Sequence, residues 1–462
     1  MARFDIYHDV TTIGGPDVRP ADLRAVKNIC SFRPVGYQFT KAFKEGRWDG
    51  FTTLMKGNSF PTGLCHQIIT YFEKAGFKLT FFDHRTRPAL SPMPIDVFNL
   101  REYQAEAVKS ALAATRGNIV IGTGGGKMRV AGALMASLGI PSVLLVNNVE
   151  ALHDTYAELR ELLPDVHITR FGDGMHEIGH ITIATIQSAY SPSAKAAPKK
   201  GEVTGFSLRT AILNAGCVIL DECHHSAAKK WYELASKSTA FYKYGMTGTL
   251  NRQDEKDIFL QAFSGRKICD YPVKWLIDND YLCPVDITFH TTQYLGNPDD
   301  FIKMGPQDRY TFGIVLNEWR NHKIAGIARE RGDLSAVILV NRVDHGHLLA
   351  DMIGAPFVSG KTNKATRRAV KADILAGKLT CVIATSLYDE SVNNPIWKYC
   401  INAAGFSPEN AQVQRLGRIL RKVGNTRAQF HDFYDAFDPK LMRHSQQRLR
   451  YLTDEGHLPV VR

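Results

Sequence analysis

Apolar residues in this chain gather into short runs separated by amphipathic stretches and polar loops. Ile119–Ile121, Val143–Val146, Ile181–Thr185, Val218–Leu220 and Tyr244–Thr247 form one series. Val337–Val340, Phe357–Ser359, Val382–Thr385 and Tyr399–Ala403 form a second, beyond Pro284. Runs of this length predict strands, and their alternation with helical patterns predicts parallel α/β sheets. The chain therefore reads as two α/β units in tandem, 94–284 and 285–462, behind a smaller α/β domain at 1–93. Residues 85–97 carry Pro88, Pro92 and Pro94 and read as the linker from the small domain to the first unit. The polar stretch Ser191–Thr204, with Lys195, Lys199 and Lys200, reads as a surface loop.

A length of 462 residues suits about three domains. A net charge of +11 favours polyanionic partners. Residues 1–93 hold 13 Lys and Arg against 8 Asp and Glu, so +5 of that charge sits in the small domain. From Phe32 to Trp48 its bases interleave with rings, and Arg47 and Trp48 are candidates for contacting phosphates and stacking on bases. The 8 cysteines include no Cys-x-x-Cys pair, so neither a zinc site nor a disulfide framework is expected. The opening residues lack the apolar stretch of a signal peptide, and no apolar run nears the roughly 20 residues of a membrane span. A soluble intracellular protein with no membrane partner is expected.

Candidate chemistry begins after Ile119-Val-Ile, where the chain enters Gly122-Thr-Gly-Gly-Gly-Lys-Met128. A helix is predicted from about Arg129 to Leu138. Glycines let successive backbone N–H groups turn inward around phosphate oxygens, at a helix N-terminus that favours anions. The pattern G-x-x-x-x-G-K-[ST] is nearly met: Gly126 and Lys127 supply its G-K, Gly122 stands one residue past its first glycine position, Thr123, Gly124 and Gly125 lie in the loop, and Lys127 is aimed at the β- and γ-phosphates. Met128 departs from that pattern. A thioether is a poor ligand for a hard cation, so Mg2+ must lean on other groups.

Val218-Ile-Leu runs directly into Asp221-Glu222-Cys223-His224. Carboxylates after a buried parallel strand sit at the ligand-binding end of the sheet. Asp221 is placed to hold Mg2+ through water, and Glu222 to orient and deprotonate the attacking water. ATP with Mg2+ is the expected cofactor pair. Cys223, His224 and His225 lack a second ligand pair and are not read as a metal site; His224 is read as linking the nucleotide site to the second unit.

These residues match the pattern of superfamily 2 helicases, with Asp221-Glu-Cys-His224 resembling the DExH box. That resemblance implies two RecA-like parallel-sheet domains. Leu100-Arg-Glu-Tyr-Gln104 resembles the segment before motif I, which implies adenine recognition by Gln104 with Arg101 beside it. Gly245-Met-Thr-Gly-Thr-Leu250 stands at motif III, which implies coupling by Thr247, Gly248 and Thr249. Val382–Glu390 resembles motif V. Gln414-Arg-Leu-Gly-Arg-Ile-Leu-Arg421 matches motif VI, Q-R-x-G-R-x-x-R, in full and is the most specific of these signals. Arg418 and Arg421 share a helix face and suit the role of arginine fingers on the γ-phosphate, with Gln414 in the same motif. Thr185, Gln187 and Ser188 match motif Ic. With Asn341, Arg342, Thr385 and Ser386, they are expected to touch nucleic-acid phosphates without reading sequence.

Ser391 after Glu390 and Leu250 after Thr249 also depart from the family pattern, and like Met128 they bear on turnover rather than fold. Gly46–Gly50, Phe60–Leu64, Phe430–Asp435 and Arg443–Tyr451 resemble segments of phage UvsW-type helicases. The implied function is an ATP-dependent DNA helicase or translocase acting on forks, D-loops and four-way junctions in phage replication, recombination or repair. Single-stranded and branched duplex DNA are the implied partners of a monomer working in the host cytoplasm. An RNA helicase or a restriction-type motor subunit shares these motifs, and an ATP-gated annealing clamp with low turnover is a third reading.

Overall fold

A computed structural model of the chain describes residues 1–34, 36–191, 207–221, 228–248, 255–385, 397–405, 416–417, 419–422 and 426–462. Contacts divide it into two units, one of Met1–Ile121 with Gly126–Tyr271, the other of Gly122–Gly125 with Pro272–Arg462.

The first unit opens with a four-stranded sheet in the order β3-β2-β1-β4, built from β1 (Ala2–Ile6), β2 (Val10–Gly14), β3 (Ser59–Pro61) and β4 (Leu79–Asp83). Phe4 and Ile13 face each other across the antiparallel β1–β2 ladder and are fully buried. Helices α1 (Pro20–Ile29) and α2 (Cys65–Lys74) add Val26, Ile68 and Phe72 to the same core.

Eight further strands follow: β5 (Arg116–Ile121), β6 (Ser142–Val146), β7 (Ile168–Gly172), β8 (Met175–His176), β9 (Ile181–Thr185), β10 (Cys217–Asp221), β11 (Tyr242–Thr247) and β12 (Lys267–Tyr271). Their order is β8-β7-β9-β6-β10-β11-β5-β12, and every neighbouring pair but β7–β8 is parallel. Positions in β6, β9, β10 and β11 are buried throughout. Strands covered on both faces have no polar side to show, which is why they read as unbroken apolar runs. All five runs of the first series fall inside strands. Helices α3 (Glu102–Ala114), α4 (Lys127–Leu138) and α5 (Glu255–Ser264) complete the parts used below.

The small sheet is fastened to the large one. A Cβ at Gly63 would stand 2.1 Å from Gln261 O on α5, and Ala262 belongs to the small sheet's own core. Lys243, 1% exposed, donates to His8 O at 3.0 Å and to Ser238 O at 2.7 Å. Arg116 donates to the same His8 carbonyl at 2.9 Å. Burial holds the Lys243 ammonium well below its ordinary range and pushes Arg116 down to about 10. The proline-rich stretch is anchored as well. Backbone N–H groups of Ser91 and Met93 donate to Leu138 O and Ala136 O, at 3.2 and 2.9 Å.

The second unit is a seven-stranded sheet of β13 (Val285–Thr291), β14 (Ala336–Val340), β15 (Phe357–Val358), β16 (Cys381–Thr385), β17 (Tyr399–Asn402), β18 (Ala428–Tyr434) and β19 (Val460–Val461). Its order is β15-β16-β14-β17-β18-β13-β19, parallel throughout. The second series of apolar runs coincides with β14 to β17 to within one residue at either end. Helices α6 (Glu318–Glu330) and α7 (Pro439–Asp454) bring Arg320 and Arg448 to Asp435 and Asp432, each pair 3.2 Å apart at Nε. Such buried charges persist because each is paired and also hydrogen-bonded to main-chain carbonyls. No helix among the described residues is long and apolar enough to cross a membrane.

Candidate nucleotide-binding site

β5 ends at Ile121, and the chain turns through Gly122–Gly126 into α4. Gly125 N–H donates to Gly122 O at 2.9 Å. Gly126 caps α4 with φ +77°, and Gly124 has φ +86°. Left-handed backbone at these two positions favours glycine, as loops that cradle phosphate oxygens require. Close approach adds to the demand. A Cβ at Gly126 would lie 2.6 Å from Gln104 Nε2. Within the second unit, one at Gly124 would lie 3.1 Å from Gly417 O and one at Gly417 2.3 Å from Thr123 Cβ. Val273, which no motif singles out, closes on Gly122 so that a Cβ there would lie 2.8 Å from its backbone nitrogen.

Gln104 is buried in the first turn of α3, where its Oε1 accepts the Arg101 N–H at 2.9 Å. The structure thus brings Gln104 against Gly126 and leaves Arg101 exposed as the N-cap residue of α3. Lys127 and Met128 are the first residues of α4, both half-buried.

Three adjacent strands carry other candidates to the same end of the sheet. Asp221 faces Met246, Met246 faces Ile119, and Thr247 faces Val120. Buried Asp221 therefore stands level with Met246 and Ile119, one residue before Thr247. That end of a parallel sheet is where ligands bind. A nucleotide with Mg2+ fits these groups: a glycine loop at a helix N-terminus for the phosphates and a hard carboxylate oxygen for the metal. Met128 adds no oxygen to that set. Glu222, Cys223, His224, His225, Thr249 and Leu250 lie outside the described residues.

In the second unit Val340 faces Thr385, so Asn341, Arg342 and Thr385 gather where β14 and β16 end. Arg342 is ion-paired with Asp344 and donates to Thr311 Oγ1 at 2.7 Å. His345 meets Asn321 Oδ1 at 2.9 Å, and burial with the nearby Arg320 charge pushes it down to about 3. Arg421 is half-buried and bridges Leu282. Ser386, Glu390, Ser391, Gln414 and Arg418 lie outside the described residues. In the first unit, buried Thr185 shares a 2.7 Å hydrogen bond with Ser188, while exposed Gln187 donates to Asn147 O at 2.9 Å. Arg47 is exposed and paired with Glu45, and the Trp48 indole N–H donates to Phe51 O at 2.6 Å. Phe51 carries no motif, yet it is exposed with the Arg33 guanidinium 4.4 Å from its ring centroid. Its only signal is that aromatic and basic residues keep interleaving past Trp48.

Residues 97–252 match the family described as Type III restriction enzyme, res subunit. The chain is 25% identical over 371 residues to the DNA 3'-5' translocase XPB2 of Sulfurisphaera tokodaii, spanning 72% of this chain and 81% of that one. It is 25% identical over 372 residues to the DNA 3'-5' helicase XPB of Mycobacterium tuberculosis, spanning 79% and 66%. The structure of Mycobacterium smegmatis helicase Lhr bound to ssDNA and AMP-PNP has a TM-score of 0.55 at 15% identity over 80% of this chain and 49% of that one. At that identity the likeness speaks for the fold, two RecA-like domains in tandem. T4 UvsW aligns over 100% of this chain and 99% of its own, at 19% identity and a TM-score of 0.45. These sequence relatives are XPB proteins rather than the UvsW-type kin expected from four short segments. With a glycine loop, a strand-borne aspartate and helicase relatives, the chain is an ATP-dependent helicase.

Proposed function

We propose that this helicase is a DNA motor that unwinds or branch-migrates forks, D-loops and four-way junctions. In this reading residues 1–93 are an accessory DNA-binding domain, and 94–284 and 285–462 are the two RecA-like motor domains. The glycine loop and Lys127 hold the phosphates, and Arg101 and Gln104 hold the adenine. Asp221 holds Mg2+ through water, and Glu222 orients and deprotonates the attacking water. Mg2+, when bound, neutralises charge developing on the transferred phosphoryl group. Gln414, Arg418 and Arg421 act on the γ-phosphate, while His224 and Thr247–Thr249 pass its state onward. Thr185, Gln187, Ser188, Asn341, Arg342, Thr385 and Ser386 hold the DNA backbone, joined by Arg47 and Trp48. The observation that carries this reading is that Asp221 and Thr247 end two adjacent parallel strands beside the strand that leads into the glycine loop. DNA as the track is supported by the printed names of the XPB relatives. The four UvsW-like segments support a phage enzyme in the host cytoplasm, and a monomer suffices for this reading.

The test is ATP hydrolysis without nucleic acid and with single-stranded DNA, duplex, a four-way junction and RNA. Lys127→Ala and Glu222→Gln serve as controls. Strong stimulation by the junction, lost in both variants, is expected. Stimulation by RNA alone would move the protein to RNA remodelling. Absence of turnover on every substrate would favour an ATP-gated clamp, the reading for which Met128 is the specific observation.

A further inference from the structure

Three consecutive carbonyls, those of Ile419, Leu420 and Arg421, are each taken by a partner from elsewhere in the second unit. Lys398, which immediately precedes β17, donates its Nζ to Arg421 O and, at 3.5 Å, to Ile419 O. Cys283 N–H donates to Leu420 O at 2.8 Å, and the Cys283 thiol reaches Ile419 O at 3.4 Å. Lys398 Nζ also lies 3.6 Å from Cys283 Sγ. Lys398 is 5% exposed and Cys283 1%. The entrance to the same stretch of chain is gripped in the same manner. Ala403 O accepts from Arg320 at 2.8 Å, Ala404 O from the Tyr310 hydroxyl at 2.6 Å, and Gly405 O from Arg448.

An ammonium is costly to bury unless its donors are satisfied, and methionine would fill the same space without that cost. Here the acceptors of Lys398 are main-chain oxygens, together with a thiol sulfur. Cations are favourable at the last carbonyls of a helical turn, and Leu416, Gly417 and Ile419 are helical. What the buried charge accomplishes is to fix the backbone that bears the Arg421 side chain.

We propose that Lys398 is a positioning residue for ATP hydrolysis: its ammonium fixes the main chain at Arg421 and thereby aims that guanidinium, without itself touching the nucleotide. This inference rests on the assignment of Arg421 to the γ-phosphate. A displacement of about 1 Å in a group that acts on the transition state lowers rate on the order of a hundredfold.

The test is a double-mutant cycle on the full chain, reading kcat and KM for ATP at saturating DNA. Lys398→Met and Arg421→Ala are each expected to lower kcat by about 30- to 100-fold, with KM held within about threefold. The double variant is expected to be no slower than Arg421→Ala alone, because Lys398 acts through that arginine. Lys398→Gln keeps a donor and is expected to recover part of the rate. Thermal melting reports the fold in each case, and Lys398→Gln completes the cycle should Lys398→Met unfold. Full kcat in Lys398→Met, or additive losses in the double variant, overturns the inference. Full kcat in Arg421→Ala removes Arg421 from the reaction, which is a failure of the underlying assignment and distinguishable from the other two.

Discussion

Gly126 meets two demands at once. Its φ of +77° is strained for any side chain, and a Cβ would press to 2.6 Å from Gln104 Nε2. Alanine there costs about 1–2 kcal/mol in backbone strain and also displaces a buried glutamine that caps α3. Gly126→Ala is therefore expected to weaken binding of a fluorescent ATP analogue by at least about tenfold, equal to about 1.4 kcal/mol. Unchanged affinity would remove the loop from the nucleotide site. Such a residue is legible in sequence because its constraint is local, a glycine before a lysine at a helix start. Lys398 and Val273 are not legible in that way. They act on backbone that is distant in sequence, through groups whose residue types announce nothing.

Legibility at the scale of elements follows burial. β10 and β11 are covered on both faces and appear in sequence as apolar runs. β13 and β18 carry polar residues into the sheet, including His290 and His431, which share a 2.9 Å hydrogen bond, and so leave no such run. Burial pushes both of these histidines down. It also pushes His345 to about 3 and His457 to about 4. All four therefore stay neutral in the folded unit where an unfolded histidine, near 6.5, takes up a proton. The sign follows from proton uptake: below about pH 6.5 the unfolded state binds more protons, so stability falls with falling pH until the folded values are reached. Each histidine contributes up to about 1.4 kcal/mol per pH unit within that window and nothing above it. Melting followed from pH 8 to pH 5 is expected to stay level and then drop below about pH 6.5, less steeply in His345→Gln. An unaltered slope in that variant would show that His345 takes up its proton in the folded unit.

Across the whole molecule, the small N-terminal sheet shares Ala262 with α5 and sets His8 O over Lys243 and Arg116. Deleting residues 1–93 would bare that core and remove the carbonyl that Lys243 and Arg116 share, leaving Lys243 only Ser238 O. Its part in DNA binding is better probed on the surface, where Phe39 is 73% exposed and Lys44 is exposed nearby. Replacing both with alanine is expected to weaken junction binding by about tenfold, the loss of one stacked ring, and to shallow its salt dependence by roughly one phosphate contact. Unchanged affinity and salt slope would place the DNA elsewhere. At the far side of the second sheet, residues 460–462 lie along β13, with Thr291 N–H bonded to Arg462 O and Arg462 N–H to Phe289 O. A strand that lacks a neighbour offers its bare hydrogen-bonding row to any passing chain, and aggregation starts from such rows. Trimming this short segment would spare every group assigned to ATP and still leave the β13 row open for a second copy of the chain to extend.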